Sequence, residues 1–456
     1  MDVRGSNWGA KMASTRRFYL SVIWLVLFQA ATLFFAPSCA ADGLTLSIRA
    51  SNRTLAEGQI AAFTVIASHP DGKQIANVPL QPELDGKPWC GPFQTNQYGV
   101  CRFVLPMPLV GRHSVNVTSG TTASPSVYLQ VTAIRYPVIT DPKHLIGMDL
   151  ETWFGPGYAQ WGHQEATPVL GEYSSLDVRV LRQQTLWMNQ LGINFVQLDW
   201  SNNLGGTWPD APAREMRDST NLLCKLYLTM KQHPLIVLLV GPDHGKFGTT
   251  QFMKQLNYIY DHYIKNPRYR KLFLDYLGKP LLDVYMGGPT RQSLPKWSSK
   301  RFTIRYVNAW LEKMDNVRDG YWSWYDRDPQ VTVFRGEPEA MTAVFGYPGY
   351  ISNPATGNYE SPDADGKDYG VTFRNQWQKV MKVKPRFVFV NQWNEFEPPD
   401  QWSQNMSNDI EPTLHRGFGN NGHGGWGFEY FLRCREAIRK YQKALGNLVI
   451  TRKFTH

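Results

Sequence analysis

Carboxylates and aromatic residues recur at the ends of apolar runs in the last three-quarters of this 456-residue chain. LIGMDLETW holds Asp149, Glu151 and Trp153; NFVQLDW ends in Asp199 and Trp200; LIVLLVG is followed by Asp243 and His244. Tyr285 lies in PLLDVYM, Tyr325 and Asp326 in YWSWYD, and Tyr347 just after MTAVFG. The run RFVFVNQW leads into Trp393, Asn394 and Glu395, with Glu397 and Asp400 close behind. Paired carboxyls among ring faces suit cleavage of a glycosidic bond. One carboxyl protonates the leaving oxygen while another assists attack at the anomeric carbon.

Each residue also has a plainer reading. Asp199 and Asp243 could cap the next helix, and Asp149 could bind loop amides. His244 fits a hydrogen-bonding loop histidine better than a metal ligand. Glu397 could be a solvated charge, and Trp153, Trp200 and Trp393 could simply pack. Glu395 resists such a reading, because burying a carboxylate after an apolar strand costs several kcal/mol without a partner or a purpose.

The elements that must position these groups alternate. Eight candidate strands cover 145–153, 194–200, 235–241, 280–286, 302–308, 321–325, 341–346 and 386–393. Helical patterns lie between them, clearest at LDVRVLRQQTLWMNQLG, REMRDSTNLLCKLYLTMKQ, QFMKQLNYIYDHYIKN and VTFRNQWQKVMKV, with FEYFLRCREAIRKYQKAL last. This is an α/β pattern, and eight units over residues 140–445 predict a (β/α)8 TIM barrel, whose active site lies at the strand C-termini. A doubly wound open sheet has the same local pattern, but no glycine-rich phosphate turn follows the first strand. Residues 43–133 differ: short alternating runs such as IAAFTVIAS and HSVNVTS, separated by turn residues, predict a small all-β sandwich.

Residues 1–41 read as a signal peptide or signal-anchor: Arg16-Arg17 precede an apolar run, and Ser38-Cys39-Ala40 offers small residues for cleavage. The expected location is therefore secreted or lumenal, with membrane contact only through that leader. Acceptor sequons at Asn52, Asn116 and Asn405 suit such a compartment. A disulfide between Cys90 and Cys101 would close a short loop, whereas Cys224 and Cys434 read as buried thiols. The net charge of +10 includes +3 in the leader, and no run of like charges or nucleic-acid motif accompanies the rest. A nucleic-acid partner is not expected, nor is a cofactor or a metal. The 16 Trp, 22 Tyr and 23 Phe could line a sugar-binding cleft, although by composition alone they fit a large core and aromatic-rich loops better.

Two resemblances bear on these expectations. HPDGKQIANVPL and NQYGVCRFVL resemble immunoglobulin-like modules of the invasin type. VFVNQWNEFEPPDQW…NDIEPT, GMDLETWF and TPVLGEYSSLDVRVLRQQTLWMNQLGINFVQLDW resemble glycoside hydrolase family 99 and its endo-α-mannosidase-like and WbsX-like relatives, over roughly residues 144–440. The resemblance implies that Asn394-Glu395 are the family's Asn-Glu, with Glu395 assisting at the anomeric carbon, and that Glu411 is the glutamate of its E-P element. The family's second catalytic glutamate stands three residues after the first; that position here is Pro398. The acid would then be Glu397, Asp400 or Asp149.

The leading expectation is an O-glycoside hydrolase centred on Glu395, with Glu397 or Asp400 as acid. Asp149, Glu151 and Asp199 would hold sugar hydroxyls, and Trp153, Trp200 and Trp393 would form platforms. The rivals are a non-catalytic carbohydrate-binding or adhesion protein on a degenerate barrel, and a metal-dependent hydrolase using Asp149, Asp199, Asp243 and His244.

Overall fold

The computed structural model describes residues 43–57, 59–89, 92–106, 110–133, 143–155, 161, 164, 166–201, 213–242, 246–286, 294–309, 311–313, 320–347, 365–396, 407–414 and 425–446. The leader, Cys90, Asp243, His244, Glu397, Asp400 and Asn405 lie outside them. Among the described residues no helix is long and apolar enough to cross a membrane.

The N-terminal part is all β, with strands β1 (Thr45–Ala50), β2 (Thr54–Ala56), β3 (Ile60–Ser68), β4 (Pro79–Leu84), β5 (Lys87–Pro88), β6 (Phe93–Gln94), β7 (Val100–Pro106), β8 (Gly111–Ser119), β9 (Thr122–Ala123) and β10 (Val127–Thr132). One sheet runs β1-β3-β7 and the other β2-β10-β8-β4-β5, with β6 and β9 on its margins. Alternation along β3 and β8 buries every second residue, so Phe63, Val65, Val115 and Val117 meet in a shared core. Cys101 is a buried free thiol on β7, pushed up to about 11 by burial, rather than half of a bridge. Asn52 is exposed, whereas Asn116 is half-buried in β8 with its Nδ2 donating to Glu83 at 3.0 Å.

Residues 43–456 cluster as one compact unit, and the sandwich packs against the larger part. Ile60 and Val104 join its core, Arg182 reaches Glu57 at 3.2 Å, and the Arg179 guanidinium lies 4.8 Å from the Trp89 ring.

The larger part alternates β11 (Leu145–Leu150), α1 (Val178–Leu191), β12 (Phe195–Trp200), α2 (Ala213–Tyr227), β13 (Leu235–Val240) and α3 (Thr250–Ile259). It continues through β14 (Asp275–Tyr276), β15 (Lys279–Tyr285), β16 (Thr303–Asn308), β17 (Tyr321–Ser323), β18 (Thr332–Phe334), β19 (Glu337–Val344), α4 (Val371–Val383), β20 (Phe387–Asn391) and α5 (Glu429–Ala444). Asp177 caps α1 by accepting the Arg179 N–H at 2.9 Å, and Gly192 ends it at φ 86°, where a side chain would be strained.

The sheet order is β17-β16-β15-β13-β12-β11-β20-β19-β18, and eight of these strands run parallel, which agrees with the eight expected runs. The sheet is nearly closed. At the seam between β17 and β19 there is no backbone ladder; Thr342 Oγ1 donates to the Ser323 carbonyl at 2.5 Å and Thr332 Oγ1 to that of Tyr321. Among the described residues no α-helix lies between β15 and β19; a short 3-10 turn (Leu311–Lys313) and the antiparallel hairpin β18–β19 are found there.

Strand parity sorts the side chains. Phe195, Val237, Leu239, Trp322, Phe387 and Phe389 fill the interior, while Ile146, Met148, Val196, Leu198 and Val388 pack toward the helices. Odd-numbered residues of β11, β12, β15 and β20 therefore point inward, which sends Asp149, Asp199, Tyr285 and Asn391 to the inner face at the strand C-termini.

Candidate active site

Glu395 follows β20 and is half-buried. Asp409 holds its turn: one carboxylate oxygen accepts the Glu395 N–H at 2.6 Å, and the other accepts the Phe396 N–H at 2.9 Å. Phe396 has φ 48°, a left-handed conformation uncommon for a bulky residue, and those two bonds keep the chain there. Gln392 Nε2 donates to Glu395 Oε2, which orients the carboxylate. Neither Asp409 nor Gln392 was anticipated as a site residue. Both lie inside quoted motifs, Gln392 next to Trp393 and Asp409 two residues before Glu411.

Three more carboxyls come from the first two strands. Asp149 is buried, and its carboxyl lies well above the ordinary range because burial disfavours the charge and Asp199, Glu395 and Asp409 repel it. Neither of its oxygens bonds another side chain among the described residues. Asp199 is pushed up to about 6 by burial, offset by hydrogen bonding from Ser201. Its Oδ1 accepts the Ser201 N–H. Asn394 fixes Glu151 from behind: its Oδ1 accepts the Glu151 N–H at 2.9 Å, and its Nδ2 donates to the Glu151 carbonyl at 3.1 Å.

The phenols complete the group. Tyr285 is half-buried and feels both Asp199 and Glu395; Tyr325 feels Tyr285 and Glu395. Burial raises both hydroxyls, so they stay protonated and able to donate. The Trp324 ring lies 5.6 Å from that of Tyr285. This gathers Asp149, Glu151, Asp199, Tyr285, Tyr325, Asn394 and Glu395 at one end of the sheet.

Other expected residues are elsewhere. Trp153, Trp200 and Trp393 are fully buried in the layer between sheet and helices and are not sugar platforms. Trp200 has the opposite parity to Asp199 and donates its Nε1–H to Thr220 of α2 at 3.1 Å. Trp393 packs between Trp187 and Phe431, at 5.8 and 6.3 Å. Glu411 has no exposure; it accepts the Tyr173 hydroxyl at 2.6 Å and Gln184 Nε2 at 3.3 Å, and burial pushes it up to about 8. Because Tyr173 also accepts from Asn394 at 2.8 Å, Glu411 braces the site from behind instead of facing it. Asp326 accepts the Ser323 hydroxyl at 2.5 Å, and burial with the neighbouring Glu312 raises its carboxyl; Tyr347 donates to Glu312 at 2.9 Å. Both are fully buried and serve the β17 end. Tyr173 lies in the quoted stretch TPVLGEYSSL but was not anticipated as a site residue.

Among the described residues no three His, Cys, Asp or Glu side chains are arranged to hold a metal ion.

No protein-family model matches the chain. No curated protein matches it. Among solved structures it is similar to the endo-alpha-mannosidase of glycoside hydrolase family 99 from Bacteroides thetaiotaomicron, at 13% identity and a TM-score of 0.46, over 67% of this chain and 99% of that one. It is similar to a glycoside hydrolase-like protein at 12% identity and a TM-score of 0.42, over 67% of this chain and 97% of that one. A shorter likeness is to the D00-D0 domain of intimin, at 18% identity and a TM-score of 0.16, over 19% of this chain and 47% of that one.

Proposed function

We propose that the chain is an O-glycoside hydrolase acting on a glycan, with Glu395 as the carboxylate that supports charge at the anomeric carbon. The observation that carries this reading is the anchoring of Glu395. Asp409 accepts the Glu395 and Phe396 N–H groups and Gln392 donates to the Glu395 carboxylate, which holds it beside Asp149, Tyr285 and Tyr325 at the C-terminal end of a nearly closed sheet. A glycosidic bond breaks through an oxocarbenium-like state, and a fixed carboxylate such as Glu395 favours the positive charge that develops there. Pre-positioning matters most, because a site that need not reorganise stabilises the transition state at little further cost. The phenols of Tyr285 and Tyr325 would donate to sugar oxygens, and Trp324 offers the ring nearest them.

In the same reading, the nearly closed sheet is a (β/α)8-type barrel with its seam between β17 and β19, and the leader routes the chain to the secretory pathway. The test is release of new reducing ends from a panel of neutral polysaccharides and oligosaccharides. Release that scales with protein concentration supports the reading. Saturable binding to a glycan of the panel with no release after long incubation would instead make the chain a carbohydrate-binding protein.

A further inference from the structure

Glu395 stands between Asn394 and Phe396, and both of these neighbours lead back to one buried side chain, Tyr173. We propose that Tyr173 is a positioning residue of the site, acting through Asn394 to hold the backbone from which the Glu395 carboxylate projects. The inference rests on the glycosidase reading above.

The Tyr173 hydroxyl has one proton and three polar neighbours, and those neighbours decide where the proton goes. Asn394 Oδ1 accepts the Glu151 N–H and its Nδ2 donates to the Glu151 carbonyl, which fixes the sense of that amide. The second Nδ2 proton is left for the Tyr173 oxygen, 2.8 Å away. Gln184 Nε2, at 3.2 Å, is also a donor. Tyr173 therefore accepts from both amides and gives its own proton to Glu411 Oε2 at 2.6 Å. Burial and the Glu411 charge raise the phenol well above its ordinary value, so it keeps that proton. Both Nδ2 protons and the Oδ1 of Asn394 are then engaged, and the Asn394 side chain is held from two directions.

The Tyr173 ring supports the other neighbour of Glu395. It meets Phe154 edge-on at 5.4 Å and Trp161 edge-on at 5.0 Å. Those two rings lie 6.5 and 5.9 Å from the ring of Phe396. Trp161 Nε1 donates to the Tyr173 carbonyl at 2.6 Å, and the Ser175 N–H to the Phe154 carbonyl at 2.7 Å, so the segment that carries Tyr173 is itself tied to the chain just after β11. Removing the hydroxyl alone frees one side of Asn394 and leaves the ring packing in place.

The experiment is a kinetic and thermal double-mutant cycle between Tyr173→Phe and Asn394→Ala. On a glycan that the wild type cleaves, Tyr173→Phe should lower kcat about 10- to 100-fold and change KM by less than about 3-fold, because orientation is lost and binding is kept. In the Asn394→Ala background the same substitution should lower kcat by less than about 3-fold, since the residue it acts through is gone. Tm should fall in both backgrounds, because Glu411 loses its 2.6 Å donor whichever residue stands at position 394. A purely structural role would move Tm and leave kcat alone. A kcat within about 3-fold of wild type despite a lower Tm, or equal kcat losses in both backgrounds, would overturn the role of Tyr173. If Tyr173→Phe does not fold, the same comparison is made on a Glu411→Gln protein, where no carboxylate is left buried without its donor. Wild-type protein that releases no reducing ends from the glycan panel would overturn the glycosidase reading itself, and this inference with it; a cleaving wild type with an unaltered kcat in Tyr173→Phe would overturn this inference alone.

Discussion

Asn394 grips both backbone polar groups of Glu151, its Oδ1 accepting the N–H at 2.9 Å and its Nδ2 donating to the carbonyl at 3.1 Å. The two residues are 243 positions apart in sequence, so this pair ties the end of the last strand to the end of the first. Replacement by alanine strands a buried N–H and a buried carbonyl, and each costs about 1–3 kcal/mol. Asn394→Ala should lower the urea midpoint accordingly and reduce activity. An unchanged midpoint would show that Glu151 does not depend on this clamp.

Asp409 plays the matching part for Glu395. Asp409→Asn replaces one amide acceptor with a donor facing an N–H, so the Glu395–Phe396 turn should loosen. The expected outcome is a kcat about 10- to 100-fold lower with KM little changed, since orientation rather than binding is lost. Steady-state kinetics on any cleaved glycan decide this, and an unaltered kcat would refute the holding role.

Buried acids give the stability a pH signature. Burial pushes Asp283 up to about 8, although it accepts Gln197 Nε2 at 2.5 Å, and Glu411 also rises to about 8. Both ordinarily titrate near 4, so between pH 4 and 8 the folded chain binds more protons than the unfolded one. Stability must fall as pH rises through that window and level off above it. Thermal melts should give a higher Tm at pH 5.5 than at 8.5. Asp283→Asn, which carries no charge to bury, should narrow the difference; a rising Tm across this range would contradict the burial of these groups.

Gly147 tests the packing of the sheet interior. A Cβ there would lie 2.3 Å from the Phe195 ring, so Gly147→Ala forces that ring to move. Overpacking of this kind costs about 1–3 kcal/mol. Adding Phe195→Leu should recover part of the lost Tm, whereas purely additive losses would mean that the two residues do not meet.

The period-2 alternation of the strands made much of this legible. The parity that sends Phe195 and Leu239 inward also sends Asp199 inward, and a run such as NFVQLDW displays it. The same parity argues against Trp200 as a platform, because adjacent strand residues face opposite sides. The expected Trp platforms were a mistake about direction, since large indoles after apolar runs serve the helix layer equally well. Asp409, Tyr173 and Gln392 act through contacts between distant segments or through a turn geometry, and no local spacing announces such contacts. The hairpin β18–β19 was hard to foresee for a similar reason, because a connection can be satisfied by an antiparallel strand as well as by a helix.

The most direct test is Glu395→Gln, assayed by reducing-end release on a glycan that the wild type cleaves, with glycan binding and Tm measured in parallel. Hydrolysis should fall at least about 1,000-fold, while binding and Tm stay close to wild type. Turnover that persists at the wild-type rate in a folded Glu395→Gln protein would contradict the account at its centre.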